Sequence, residues 1–459
     1  MAPSRPVASA LATALLAACA LVVGARPARA DFESAKKYFL DNVKSPEWKA
    51  RRSAYGAFQD HDGGPAATLL LQQVGAETHP AVIEAAATTL AGMRSSEARA
   101  AAIASAKKPK SSERVVAQTA LLSMRGNDVD AALVEAVASP NAPVATMAAL
   151  ALGQGTRSGA SEALVKALAH PAWQVRGAAA RSLGARGDRA ALAPLVARLE
   201  VEKGRARAEV VGALEAVSRQ RLGDSPKRWA ALAAGGDPST VTETAVLPPT
   251  FFGVPVTGER VVFVLDRSLH MRDAHPWVAP EQRERLEELC SPKDGERIPW
   301  RQVKTKWQLA VAHLRHAVEG LPSGARFEVF YFAADVKSVF AGKGAPAGAA
   351  ARKTLDEVLA TIETDDGINL WDALLGALDM AGAAEDKAFK AGPDQVLLVT
   401  NNIPTRGDVA DADVVARAIG LRARARFVPV SVVGIGNHPF ALAETLTKTS
   451  GGVYVNLSK

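Results

Sequence analysis

Val261-Val262-Phe263-Val264-Leu265-Asp266-Arg267-Ser268-Leu269-His270-Met271 is the stretch from which the fold is read. A short apolar run ends in a carboxylate, and a hydroxyl stands two residues later. An apolar run without polar alternation fits a strand buried on both faces, as parallel strands are. Open α/β sheets bind ligands outside the C-terminal ends of such strands. Asp266 and Ser268 are therefore expected at a binding edge.

Downstream of this run, helices and strands alternate. Trp307-Gln308-Leu309-Ala310 opens an amphipathic stretch that closes at Leu321-Pro322. Arg326-Phe327-Glu328-Val329-Phe330-Tyr331-Phe332 reads as the next strand. Gly367-Ile368-Asn369-Leu370-Trp371-Asp372-Ala373-Leu374 reads as a loop and a helix start. Gln395-Val396-Leu397-Leu398-Val399-Thr400-Asn401-Asn402-Ile403-Pro404-Thr405 reads as a strand with its outgoing loop, and residues 427–436 and 453–457 as two last strands. This alternation predicts a doubly wound, Rossmann-like sheet. In these motifs and their order, residues 258–459 resemble a von Willebrand factor type A domain. The family's first motif is Asp-x-Ser-x-Ser, its second Gly-Thr-Asn-Leu-x-Asp-Ala-Leu and its third Thr-Asp-Gly-x-Pro-Thr.

The resemblance implies a divalent cation held by an Asp and two Ser of the first loop, a Thr of the second and an Asp of the third. Carried over by position, Asp266 and Ser268 match, whereas His270 replaces the second Ser, Ile368 the Thr and Asn401 the Asp. Ile offers no donor atom and Asn no charge. Mg²⁺ gives up its water reluctantly, so a site with one carboxylate would hold it weakly. The expectation is a degenerate adhesion site with no cofactor, Mg²⁺ being the ion a residual site would take. Two rescues compete. Asp365 and Asp366 stand beside the second loop and could lend a carboxylate. His270 with Asp266, Asp273 or His275 could take Zn²⁺, although this spacing matches no finger pattern and no Cys joins it.

The N-terminal half carries a period. Leu90, Leu121, Leu152, Leu183 and Leu214 succeed one another at a fixed step, and Ala86, Ala117, Ala148, Ala179 and Val210 keep it. The clearest unit is His170-Pro171-Ala172-Trp173-Gln174-Val175-Arg176-Gly177-Ala178-Ala179-Ala180, then Ser182-Leu183-Gly184, the Gly187-Asp188 turn and a Leu-rich stretch from Leu192 to Leu199. Ser139-Pro140 and Thr78-His79-Pro80 open earlier units. The pattern resembles bacterial HEAT repeats, which implies an α-solenoid. A helix pair cannot bury its apolar face alone, so repeats stack. Five to six repeats are predicted across residues 45–220, and the Leu and Ala columns are read as core.

The segment 1–30 reads as a signal peptide: Arg5 without an acid, an apolar core from Val7 to Gly24, and the small-x-small site Ala28-Arg29-Ala30 before Asp31. Leu16-Ala17-Ala18-Cys19 also resembles a lipobox, which would tether the protein to a membrane by a lipid on Cys19. No later stretch reaches the length of an apolar span, so no transmembrane segment is expected. Cys290 would be the one thiol left after cleavage at Ala30, which leaves no intramolecular disulfide. It falls in a charged insertion, residues 272–301. The predicted organisation is a signal peptide (1–30), a solenoid (31–233), a linker (234–257) and the α/β domain (258–459). The Phe251-Phe252 pair of the linker is expected to pack on the α/β domain.

Charge divides unevenly. Residues 31–230 hold 27 basic and 20 acidic residues, whereas residues 231–459 hold 25 and 28. No aromatic-basic motif points to nucleic acid. No Gly-x-Ser-x-Gly, P-loop, His-Glu-x-x-His or paired-Cys pattern points to an enzyme. The expectation is an exported, periplasmic or secreted protein-binding scaffold. The alternative is a metal-dependent adhesion receptor. A weaker third reading is a hydrolase whose site carries no recognised motif.

Overall fold

The computed structural model describes residues 31–109, 111–242, 248–275, 303–380, 382 and 385–458. The expected signal peptide with Cys19, and Cys290 with most of its insertion, lie outside the described residues.

Helix α1 (Phe32–Asn42) precedes six helix pairs among the described residues. They are α2 and α3 (Trp48–Gly56, Gly64–Val74), α4 and α5 (Pro80–Gly92, Ser96–Ser105), α6 and α7 (Ser111–Ser123, Asn127–Ala136), α8 and α9 (Ala142–Leu152, Ala160–Ala167), α10 and α11 (Trp173–Arg186, Leu192–Leu199), and α12 and α13 (Gly204–Ser218, Pro226–Ala233). Proline opens α4, α8 and α13 at a first-turn position, where its missing N–H is not needed. Asp188 caps a short 3₁₀ turn before α11 by accepting from Ala190 N–H. The periodic Leu and Ala columns fall on α4, α6, α8, α10 and α12, and every member is buried. Helices α2, α4, α6, α8, α10 and α12 thereby form one layer of consecutive neighbours. Each buried Leu contributes about 1.5–3 kcal/mol of apolar burial, and the small Ala residues let the helix axes approach.

Arginines close the turns between repeats. Arg51 donates through Nη1 to the carbonyls of Ser45 and Pro46 and pairs with Glu77 at 2.8 Å. Arg176 donates to the carbonyls of His170 and Pro171 and pairs with Glu202. The same device recurs at the two sites because a guanidinium can serve a carboxylate and carbonyls at once.

The α/β unit begins with a hairpin, β1 (Thr250–Phe251) and β2 (Val254–Pro255). Phe251 and Phe252 are fully buried; Phe252 stacks on His313 at 3.8 Å and Phe251 meets Phe263 edge-on at 5.2 Å. The tail of the linker is thus part of this unit's core. The main sheet contains β3 (Arg260–Asp266), β4 (Arg326–Phe332), β5 (Val336–Ser338), β6 (Ala345–Pro346), β7 (Gln395–Thr400), β8 (Val430–Ile435) and β9 (Tyr454–Leu457). Its order is β5-β4-β3-β7-β8-β9, with β6 also on β4. The strands β4-β3-β7-β8-β9 are parallel, and β5 and β6 are antiparallel additions. Five helices flank it: α14 (Lys306–Glu319), α15 (Ala349–Thr361), α16 (Leu370–Leu378), α18 (Ala412–Ala425) and α19 (Phe440–Ser450); α17 (Glu385–Ala391) precedes β7. Helix α14 starts at a capping box of Thr305 and Gln308. His313 and His316 on α14 are buried packing residues.

The solenoid does not present its α2-to-α12 layer as an open surface. The layer is docked on the α/β unit. His79 stacks between Trp48 (4.7 Å) and Trp371 (5.6 Å). Asp408 accepts from Trp48 Nε1 at 3.0 Å and shares a hydrogen bond with His79 Nε2 at 2.9 Å. Buried Glu84 faces Arg417 of α18 at 3.4 Å and Arg52 at 3.5 Å. Farther along, Gln174 Nε2 donates to Phe389 O. The Phe427 ring lies against Trp173 and under the Arg181 guanidinium. A Cβ on Gly177 would sit 3.0 Å from that ring, so glycine admits it. Phe427 itself has φ +58°, a left-handed backbone that a non-glycine residue adopts only when its surroundings fix it. The gap between α4, α6 and α18 is only about 20 Å³.

Two outcomes test this packing. Leu152→Asp or Leu183→Asp should cost about 4 kcal/mol or more, because each puts an unpaired charge at a fully buried position; chemical denaturation reads it. Arg417→Glu should oppose Glu84 and cost roughly 1–3 kcal/mol, discounted because Arg417 is partly exposed. Calorimetry should then show the α/β unit and the solenoid melting apart, where the parent melts as one.

Candidate functional site

The parallel strands β3, β7 and β8 lie side by side, so the loops that leave them share one edge. Asp266 is the last residue of β3 and is fully buried. One of its oxygens accepts from Ser268 N–H at 2.8 Å; the other accepts from Thr400 Oγ1 and Asn401 N–H, both at 3.1 Å. Burial pushes the Asp266 carboxyl above the ordinary range, and these hydrogen bonds only partly offset it. Ser268 Oγ donates to Asn401 Oδ1 at 3.1 Å. Asn401 Nδ2 is buried with no hydrogen-bond partner among the described residues. Asp266, Ser268 and Asn401 are therefore brought into one network.

Ile368 and His270 stand outside that network. Ile368 is buried apolar surface, and only its backbone engages: its N–H donates to Thr405 Oγ1, and its carbonyl accepts from Thr405 and Arg406. The preceding Gly367 has φ +84°, and a Cβ there would meet Arg406 at 2.9 Å. His270 lies on a 3₁₀ turn, mostly exposed, with Nδ1 at 3.8 Å from Asp273. His275 is buried, and its Nε2 meets Val303 O at 3.3 Å. Asp365 pairs by backbone with Ser268, and its carboxylate accepts from Asp366 N–H and lies 3.8 Å from Arg267. No group of three His, Cys, Asp or Glu side chains suited to a metal occurs among the described residues.

Sequence reasoning passed over two residues that shape the site. Thr400 supplies the hydroxyl under Asp266; its place as the last residue of β7, beside Asn401, was the available signal. Arg267, between the two matched positions, is buried, donates to Glu363 O and pairs with Asp335. It fastens the first loop to the second, which no sequence spacing announces.

Three large apolar side chains are exposed on the segments that leave this edge, among polar and charged neighbours such as His270, Asp273 and Asp365. Leu269 lies just past β3, Ile403 just past β7, and Phe440 opens the helix after β8; their exposures are 42%, 54% and 42%.

Comparison with known proteins agrees with this architecture. Residues 129–215 match the family model for HEAT repeats, and residues 303–456 match that for the von Willebrand factor type A domain. The chain carries HEAT repeats and then a type A domain. No curated protein matches it. Similar solved structures include a von Willebrand factor type A protein from Catenulispora acidiphila, at 15% identity and TM-score 0.30, covering 45% of this chain and 40% of that one. Another is the conserved hypothetical protein BatB from Bacteroides thetaiotaomicron, at 12% identity and TM-score 0.25, covering 44% and 90%. The assignment rests on the family matches and on the sheet order.

Asp266→Asn should destabilise the type A domain by about 1–3 kcal/mol, because an amide NH₂ would face N–H and O–H donors that now share a carboxylate. Urea denaturation in chelator-treated buffer checks it.

Proposed function

We propose that this chain is an exported protein-binding scaffold whose type A domain engages a protein partner at its C-terminal strand edge without a metal ion. The observation that carries the reading is the exposure of Leu269, Ile403 and Phe440 on the segments that leave β3, β7 and β8, the strand edge at which Asp266 is buried. Exposed apolar side chains gathered at a ligand-binding edge favour contact with another protein surface. HEAT repeats and type A domains are interaction modules, which supports a non-catalytic role.

The residues present do not fit a divalent cation. Asp266 already serves three donors of its own chain. Asn401 Oδ1 is taken by Ser268, and its other terminus is an N–H₂, which cannot ligate a cation. Ile368 fills the second-loop position with hydrocarbon. A hard ion would have to displace these hydrogen bonds and would gain a single carboxylate. Export is supported by Arg5, the apolar core and Ala28-Arg29-Ala30. Cleavage places the protein in the periplasm or outside the cell, and lipidation at Cys19 would tether it instead. N-terminal sequencing of the processed chain separates these, and an unprocessed chain would overturn export.

Calorimetry should detect no tight Mg²⁺ or Mn²⁺ binding in the parent. The combined reversion His270→Ser, Ile368→Thr and Asn401→Asp should create it. Partner capture from an envelope extract should survive chelation and be lost in Leu269→Ser, Ile403→Ser, Phe440→Ser. Mg²⁺ binding by the parent that disappears in Asp266→Ala would replace this reading with a metal-dependent adhesion receptor.

A further inference from the structure

At the end of the sheet remote from Asp266, the last repeats meet the N-terminal strand edge around a cavity of about 220 Å³. Its lining includes Arg181 and Arg205 from the solenoid and Thr257, Ser431 and Gly451 from the type A domain. The two guanidinium groups converge on Glu209. Arg181 Nε and Arg205 Nε each donate to it at 3.0 Å, and both Nη2 atoms also bind it. Burial alone would raise the Glu209 carboxyl, yet the charges and hydrogen bonds of Arg181 and Arg205 outweigh it and hold it at about 2.

What remains unused is donor capacity. Nη1 of Arg181 and Nη1 of Arg205 have no partner among the described residues. Ser431 Oγ accepts from Val453 N–H at 3.1 Å, which leaves its own proton to give. The Thr257 hydroxyl makes no hydrogen bond among the described residues, since only its N–H is used, by Gln395. The nearby acceptor, Gln395 Oε1, is occupied by Thr257 N–H and Gly258 N–H. Positive charge is also in excess. Arg424 donates to Thr449 O but has no carboxylate partner among the described residues; burial, and then the nearby charge of Arg181, hold it below the ordinary guanidinium value. The cavity wall thus carries two guanidinium groups against the one carboxylate of Glu209, with Asp394 within electrostatic reach of Arg205 beyond it. Gly451 makes the approach possible, because it has φ +82° and a Cβ there would lie 2.1 Å from Arg181 Nη1.

We infer that this cavity between the domains binds a small, multiply charged oxyanion, with Arg181, Arg205, Thr257 and Ser431 as its donors. Arginine suits the task because its planar fork matches the oxygens of phosphate and carboxylate groups. Donors from both domains converge, so the bound anion ties the solenoid to the type A domain and stabilises the docked state by mass action.

The test uses the mature full-length chain and inorganic phosphate, with sodium chloride at matched ionic strength as the control for screening. Calorimetry should show saturable one-to-one binding, and Tm should rise with phosphate beyond the chloride control. Arg205→Gln should weaken binding by about tenfold or more, with Arg205→Lys intermediate, and Thr257→Val by about threefold. Malonate run in parallel distinguishes the source: tighter binding of malonate assigns the site to dicarboxylates, and tighter binding of phosphate assigns it to phosphates. Thr257→Val removes one hydroxyl and no charge, so it decides the matter if the Arg205 variants do not fold. Absence of saturable binding by the parent overturns the site, as does affinity unchanged in Thr257→Val together with whichever Arg205 variants fold.

Discussion

Helix α18 is the element on which both halves depend. Val414, Val415, Ala418 and Ile419 belong to the core beneath the sheet, whereas Leu421, Ala425 and the adjoining Phe427 belong to the core of the repeats. One helix therefore buries surface in two directions, and separating the domains would expose apolar area on each. Polar contacts also cross the seam: Glu84 with Arg417, Asp408 with Trp48 and His79, and Gln174 with the Phe389 carbonyl. Such partly buried pairs gain little by themselves but punish mismatched docking, so they set the orientation of a contact that burial drives.

Local order was legible in the sequence. The Leu and Ala columns are at the repeat core, and Asp266 and Ser268 are at the end of the first sheet strand. The substitutions at Ile368 and Asn401 could be read as chemistry because donor atoms belong to residue types. The docking could not be read. His79 and His170 stand in the same His-Pro-Ala context, and each accepts from the N–H two residues on. Yet Nε2 of His170 meets Ser139 O in the preceding turn, while that of His79 meets Asp408 in another domain. Identical local sequence carries no record of a partner 329 residues away. The same blindness hid Arg267, whose role depends on Asp335 and Glu363 arriving from other loops.

Docking also redistributes where the chain can meet other molecules. A solenoid usually offers a long face to partners; here much of that face holds the type A domain. The strand edge near Asp266 stays open, with its exposed apolar residues. In the proposed function, recognition is concentrated on one domain, and the repeats packed against it serve as a brace.

Repeat arrays commonly change length by gaining or losing a unit, since each unit answers only to its neighbours. This array has lost that freedom. His79 at the second pair and Gly177 at the fifth are both engaged by the same domain, through Trp371 and Phe427. Adding one pair between them would carry the second anchor out of reach of Phe427 while the first still held. The number of units separating those anchors is fixed by the span of a single α/β domain, which measures the solenoid as a template measures a part.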